Sequence, residues 1–193
     1  MLPTRGKVSE EERARRAGQR PVTVWLTGLS GAGKSTLAIE LERKLTDAGR
    51  PCYLLDGDNL RAGLNRDLGF AAADRHENIR RVAEVARLLN DAGLVAITAL
   101  ISPYRADRGM AAGIIGFERF VEVYLDAPLE ICERRDPKGL YRRARAGEIA
   151  DFTGISAPYE APPSPALRLA TGSRSVADCV AELCALVDRS IRS

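Results

Sequence analysis

A parallel α/β fold, with helices on both faces of one sheet, is predicted by three features of this 193-residue chain. Short apolar runs alternate with stretches that carry apolar residues at helical spacing, the order produced when strands are joined through helical crossovers. A glycine-rich run stands between the first apolar run and the first helical stretch. No repeat interrupts the alternation, and with 45% hydrophobic and 28% charged residues the chain suffices for one large core rather than two. The expectation is a charged tail over 1–20 and a single domain over 21–193, its five-stranded sheet binding ligands at the carboxyl ends of the strands.

The first strand is expected over 22–26, where Val22, Val24, Trp25 and Leu26 fall. It runs into Gly28, Leu29, Ser30, Gly31, Ala32, Gly33, Lys34 and Ser35, with Thr36 opening the helical stretch. The glycines let backbone N–H groups curl inward toward phosphate oxygens, and the following helix adds its positive N-terminal end. Lys34 reaches the β and γ phosphates, and the Ser35 hydroxyl is suited to ligate Mg²⁺. An ordinary turn would need neither the strand before nor the helix after, so the run is read as a phosphate-binding loop for a nucleoside triphosphate with Mg²⁺.

The next helix, over 36–48, carries Leu37, Ile39, Leu41 and Leu45 among charges, is expected to bury one face and stops at Gly49; a short buried strand over 51–55 ends at Asp56. Asp74, three residues before Glu77, reads as a capping box, and Ile79, Val82, Val85, Ala86 and Leu89 continue that helix toward Gly93. A strand over 94–101, a helix over 103–115, a strand over 119–126 and a helix over 128–134 follow. A short strand over 167–170 and an amphipathic helix over 175–191 close the chain. The basic, Gly- and Pro-punctuated segment over about 135–165 is too long for an ordinary connection and is read as a lid that closes over phosphates.

Composition excludes several classes. Residues 1–20 hold six arginines and lysines against three glutamates, which accounts for the whole formal charge of +3, so the body carries none to hold nucleic acid. That tail, without interleaved aromatics, is read as a solvated or frayed helix. No apolar run reaches the roughly 20 residues of a membrane span, and the N-terminus is charged where a signal peptide is apolar, so a cytoplasmic location is expected. Cys52, Cys132, Cys179 and Cys184 lack metal-site spacing and are read as small buried thiols. His76 is the single histidine, expected to face solvent near a helix start, which argues against catalysis by a histidine cluster.

The second strand ends in Asp56-Gly57-Asp58-Asn59-Leu60-Arg61, placing two carboxylates and an arginine beside the phosphate loop. Phosphoryl transfer to a hydroxyl asks for alignment, Mg²⁺, cations on the transferred group and a carboxylate to accept the hydroxyl proton. Asp58 is the candidate base, and Asp56 the candidate for organising the magnesium water shell. The same residues would also make a turn that caps its own backbone, and the two roles are compatible. A guanine-reading Asn-Lys-x-Asp run is absent, and Ile101-Ser102-Pro103 stands where a motor ATPase carries an acid, so a P-loop kinase is the class expected.

Further runs narrow the class. Asp56 to Phe70, Asp74-Arg75 with Glu77 to Arg81, Ile101-Ser102-Pro103-Tyr104-Arg105, Asp136 to Tyr141 and Phe152-Thr153-Gly154-Ile155 together resemble the adenylyl-sulfate kinase family, from about Val22 to the C-terminus. The resemblance implies transfer of the ATP γ-phosphoryl group, with Mg²⁺, to the 3′-hydroxyl of adenosine 5′-phosphosulfate. It implies that Phe70 and Phe152 sandwich the acceptor adenine and that Arg61, Arg75 and Asn78 hold phosphosulfate and ribose. Ile101, Ser102, Lys138, Gly139 and Leu140 would line the same pocket, and Arg135 would pack on the ATP adenine.

Family members often carry a phosphoserine at the position of Ser102. Direct transfer already accounts for the residues present, and a serine before Pro103 also reads as a helix cap. Leu100 departs from the phenylalanine of many members, and residues 1–20 have no counterpart. The resemblance leaves open a homodimer and a sulfurylase partner. Competing readings are another small-molecule kinase of the same fold, such as a nucleoside monophosphate or sugar-acid kinase, and a silent nucleotide-binding regulator of a sulfurylase; intact Lys34, Ser35, Asp56 and Asp58 speak against the silent module.

Overall fold

The computed structural model describes residues 6–192, so the first five residues of the charged tail lie outside it. Five parallel strands form one sheet in the order β2-β3-β1-β4-β5: β1 Thr23–Thr27, β2 Cys52–Asp56, β3 Val95–Ala99, β4 Phe120–Leu125 and β5 Leu167–Leu169. In register, Val24 lies beside Ile97 and Val121. Strands β1 and β3 are buried at every position, which is why they read as largely apolar runs, broken only by buried threonines, instead of alternating ones.

Alternate residues of β1 feed two different cores. Val22, Val24 and Leu26 pack with Leu37, Leu41 and Leu45 of α2 (Lys34–Asp47) and with Leu183, Val187 and Ile191 of α8 (Val176–Arg192). Trp25 faces the other way, into a core of Ile79, Val82 and Ala86 from α4 (Ala72–Asp91) and Ala111 and Ile115 from α5 (Arg105–Ile115). From β1 the chain steps outward to β2, returns through β3, and then crosses to β4. The loops after β1 and β3 therefore open side by side at one end of the sheet, where open α/β sheets bind ligands.

The tail contributes α1, Glu10–Ala17, capped by the Ser9 hydroxyl at Glu12 N–H (3.1 Å) and ended by left-handed Gly18. None of its residues is buried, yet it is tied to the body: Arg13 donates to the Asp91 carbonyl, Arg119 pairs with Glu10, and Gln19 donates to the carbonyls of Pro51 and Gly93. Among the described residues no helix is long and apolar enough to cross a membrane.

Two local expectations are corrected. Asp74 does not cap α4; the helix starts after Ala71 without a side-chain cap, so Asp74 lies inside its first turn, and Glu77 is engaged by Arg80 and Arg81. The lid segment is not a bare loop: after α6 (Leu129–Arg135) it forms α7 (Leu140–Arg145) and buries Tyr141, Ala144 and Phe152 against the α2/α8 side of the sheet. α3 (Gly57–Ala62) is a single short turn at the end of β2, with the Asp56 carboxylate accepting from Asp58 N–H.

Candidate active site

At the carboxyl end of the sheet, one cavity of about 1180 Å³ runs from the phosphate-loop residues past Asp56 and Asp58 to Phe70, Asn78 and Ser102, and is bounded by Lys138 and Phe152 of the 135–165 segment. Its volume exceeds the roughly 300–1,000 Å³ of single-ligand pockets, which fits two bound molecules meeting at the loop.

The loop is held open by its glycines. Gly28, Gly31 and Gly33 have φ of 152°, 75° and 98°. A Cβ on Gly28 would strike the Leu125 carbonyl oxygen at 2.7 Å, and one on Gly31 the Cys132 carbonyl at 2.9 Å, so side chains are excluded on the sheet side. A Cβ on Gly33 would meet nothing within 4 Å; it would project into open space, the form expected of a cradle for a bulky anion. The Lys34 ammonium turns back into the loop and donates to the carbonyls of Gly28 (2.9 Å) and Leu29 (2.7 Å). Burial pushes its pKa down to about 8, and repulsion from Lys138 works the same way, against the attraction of Asp56 and Asp58.

Ser35 donates from Oγ to Asp56 Oδ2 at 2.7 Å, so the hydroxyl and carboxylate expected near a metal already sit side by side. This pair suits Mg²⁺, which keeps most of its waters and takes one or two protein oxygens together with substrate phosphates. Asp58, at the exposed end of β2, is ion-paired with Lys138 of the lid.

On the far side of the cavity lies a cationic, partly aromatic wall. Arg61 stacks its guanidinium 4.4 Å from the Phe70 ring centroid and donates to the Gly69 carbonyl. Burial first, and the nearby Arg75 second, hold Arg61 below its usual pKa, against the attraction of Asp74 and Asp58. Arg75 donates to Phe70 O (2.7 Å) and Thr153 Oγ1 (2.6 Å) and to the Asp151 carbonyl, joining α4 to the lid. Asn78 is buried and accepts from Asn65 Nδ2 at 3.0 Å. Phe70 is 63% exposed, whereas Phe152 is 7% exposed and packs edge-on against Tyr141, centroids 5.0 Å apart.

Not every residue singled out in the sequence reaches the cavity. Gly28 and Leu29 offer only their carbonyls to Lys34, and Gly139, at φ 66°, serves as the left-handed cap of α7. Arg135 lines the cavity and is steadied by the carbonyls of Gly31 (3.2 Å) and Thr171 (2.6 Å). Ser102 is 2% exposed and does not cap α5, which begins after Tyr104; its Oγ accepts from Trp25 Nε1 (3.1 Å) and donates to Thr27 Oγ1 (3.0 Å). His76 is half in solvent as expected, with Nδ1 on Asp107 Oδ1 at 2.7 Å. Thr171 and Arg174, which line the cavity beyond Arg135, were not singled out: they follow a three-residue strand in a stretch with no motif. Nor was Tyr141, whose hydroxyl donates to the Ser30 carbonyl at 2.9 Å and so seats the lid on the loop.

Fold and site together define a P-loop kinase with a separate acceptor pocket. The adenylylsulphate kinase family model matches residues 20–170, and the chain belongs to that family. It is 57% identical over 176 residues to an adenylyl-sulfate kinase of Aeromonas hydrophila, covering 91% of this chain and 89% of that protein. It is 58% identical over 164 residues to the bifunctional enzyme NodQ of Rhizobium tropici, covering 85% of this chain and 26% of that protein. Among solved structures it is similar to the Mycobacterium tuberculosis APS kinase CysC in complex with AMPPNP and APS, with a TM-score of 0.84 and 51% identity over 88% of this chain and 98% of that one.

Proposed function

We propose that this chain transfers the γ-phosphoryl group of ATP to the 3′-hydroxyl of adenosine 5′-phosphosulfate, releasing ADP and 3′-phosphoadenosine 5′-phosphosulfate. The observation that carries this reading is the single cavity joining the phosphate loop to the Arg61, Phe70, Arg75 and Asn78 wall, in a chain half identical to a kinase solved with AMPPNP and APS.

The loop amides and Lys34 hold the donor's phosphates, and Arg135 covers the donor base. Mg²⁺, when bound, neutralises charge on the phosphates, and Ser35 and Asp56 are the residues that would hold it. Phe70 and Phe152 offer ring faces to the acceptor adenine, and Arg61, Arg75 and Asn78 take its anionic and ribose oxygens. Asp58 accepts the 3′-hydroxyl proton as the bond from that oxygen to phosphorus forms and the bond from phosphorus to ADP breaks. Because an exposed ion pair is worth little, the acceptor can displace Lys138 from Asp58, which frees the carboxylate and brings the ammonium onto the incoming anion. Burial of Ser102 Oγ between Trp25 and Thr27 supports direct transfer without a phosphoserine.

Three expected outcomes arise here. Nucleotide anions restore the charge on Lys34, so AMPPNP binding takes up a proton above the free-state pKa of about 8 and none well below it. Its affinity therefore falls as pH rises past 8; calorimetry in buffers of different ionisation enthalpy reads the uptake directly, and a pH-independent proton count would refute it. Phe70→Ala weakens adenylyl sulfate about ten- to a hundredfold, as loss of a stacked ring predicts, with little change in melting temperature because Phe70 is exposed. Phe152→Ala costs acceptor affinity and stability together, since its ring also packs on Tyr141; thermal melts beside acceptor titrations separate the two.

The function is tested by coupled ADP release with adenylyl sulfate against AMP as acceptor. A strong preference for adenylyl sulfate is expected; equal rates, or a preference for AMP or a sugar acid, would overturn the assignment. A sulfurylase partner is supported by the match of this chain to 26% of a bifunctional enzyme, and self-association by its similarity to a Thiobacillus denitrificans APS kinase described as hexameric. A cytoplasmic site of action accords with the nucleotide donor.

A further inference from the structure

Behind the acceptor wall lies a buried guanidinium that the reaction account does not use. Arg108, on α5, is 3% exposed. Its three nitrogens serve three separate parts of the chain: Nε donates to Glu122 Oε1 on β4, Nη1 to the Ser102 carbonyl and Nη2 to the Glu160 carbonyl, each at 2.7 Å. A buried cation is costly unless its charge and its donors are satisfied, and here one carboxylate and two carbonyls do so.

Both carbonyls matter to the site. Ser102 stands at φ 39°, a left-handed conformation that a side chain makes unfavourable and that persists only where neighbours hold it. Arg108 holds its carbonyl, while Trp25 and Thr27 hold its hydroxyl. Glu160 lies where the chain leaves the lid. That exit is fastened to the body: Glu160 N donates to Pro103 O at 2.9 Å, Arg105 N to Glu160 Oε2 at 2.8 Å, and the Tyr159 hydroxyl meets Thr27 Oγ1 at 2.9 Å. The front of the lid meets the body through the exposed pairs Lys138–Asp58 and Arg75–Asp151 as well as through the part-buried bonds of Tyr141 to Ser30 O and of Arg75 to Thr153.

We infer that Arg108 is a positioning residue for the acceptor step: its guanidinium fork fixes the strained Ile101–Ser102 edge of the acceptor cavity to the anchored end of the lid. The inference rests on the acceptor reading given above. Lysine keeps the charge but cannot direct three coplanar donors to these three oxygens, so the role belongs to the fork and not to the cation alone.

The test is steady-state kinetics of the full chain bearing Arg108→Lys, with AMPPNP affinity by calorimetry and thermal melts alongside. The KM for adenylyl sulfate is expected to rise about ten- to a hundredfold, as loss of charge-assisted hydrogen bonds predicts, with AMPPNP affinity unchanged. Free guanidinium at non-denaturing concentration should lower that KM again in Arg108→Ala. An unchanged KM for adenylyl sulfate, an equal loss for both nucleotides, or failure of both variants to fold would overturn the inference and leave Arg108 a structural ion. A wild-type chain that releases no ADP with adenylyl sulfate would defeat the acceptor reading itself, which separates the two failures.

Discussion

Lys34→Ala is expected to lower kcat/KM by about 10³-fold, the loss that follows when one preorganised group facing transition-state charge is removed. The ammonium is held on the loop carbonyls of Gly28 and Leu29, while the other cation on the loop, Arg135, is tied to the carbonyls of Gly31 and Thr171. The fold should survive, because the α2 residues that carry the core are Leu37, Ala38, Leu41 and Leu45. Circular dichroism and a thermal melt check that point; turnover within a few-fold of wild type in a folded protein would remove Lys34 from the account.

Asp58→Asn is expected to reduce kcat by about 10²- to 10⁴-fold, the range for a lost general base, with little change in affinity for AMPPNP or adenylyl sulfate. The substitution keeps the shape of the side chain and a hydrogen-bond acceptor, but not an oxygen basic enough to take the 3′-hydroxyl proton. It also breaks the ion pair with Lys138, which is exposed on both sides and so adds little to stability. A fall in acceptor affinity with kcat preserved would make Asp58 a binding residue and leave the proton to water.

What the sequence disclosed divides along physical lines. The five strands and their parallel pairing were legible because a sheet covered on both faces asks for mostly apolar residues along its inner strands, as in β1 and β3, whereas the order β2-β3-β1-β4-β5 was not. The phosphate loop and the Ser35 and Asp56 pair were legible because their chemistry depends on neighbours in sequence or on strand ends. Helix starts were less so: α2 begins at Lys34, directly from the loop, and α4 after Ala71, where no side chain caps it and no cap signal stands in the sequence. The cap expected of Ser102 failed because a distant indole, Trp25, claims its hydroxyl. Arg108, Glu122 and Glu160 leave no local pattern at all; they meet only once β4 and the lid exit are folded against α5. The 135–165 segment stood out by its length and charge, whereas its seating through Tyr141 on Ser30 and Arg75 on Thr153 required the tertiary structure.

The central claim is that phosphorus arrives on one particular oxygen of one particular acceptor. Phosphorus NMR of a reaction containing the protein, MgATP and adenylyl sulfate tests it most directly. A new phosphomonoester resonance coupled to the ribose H3′, rising in step with ADP while the phosphosulfate signal persists, is the predicted result; ADP accompanied only by inorganic phosphate, or a phosphoryl group on any other position, would contradict it.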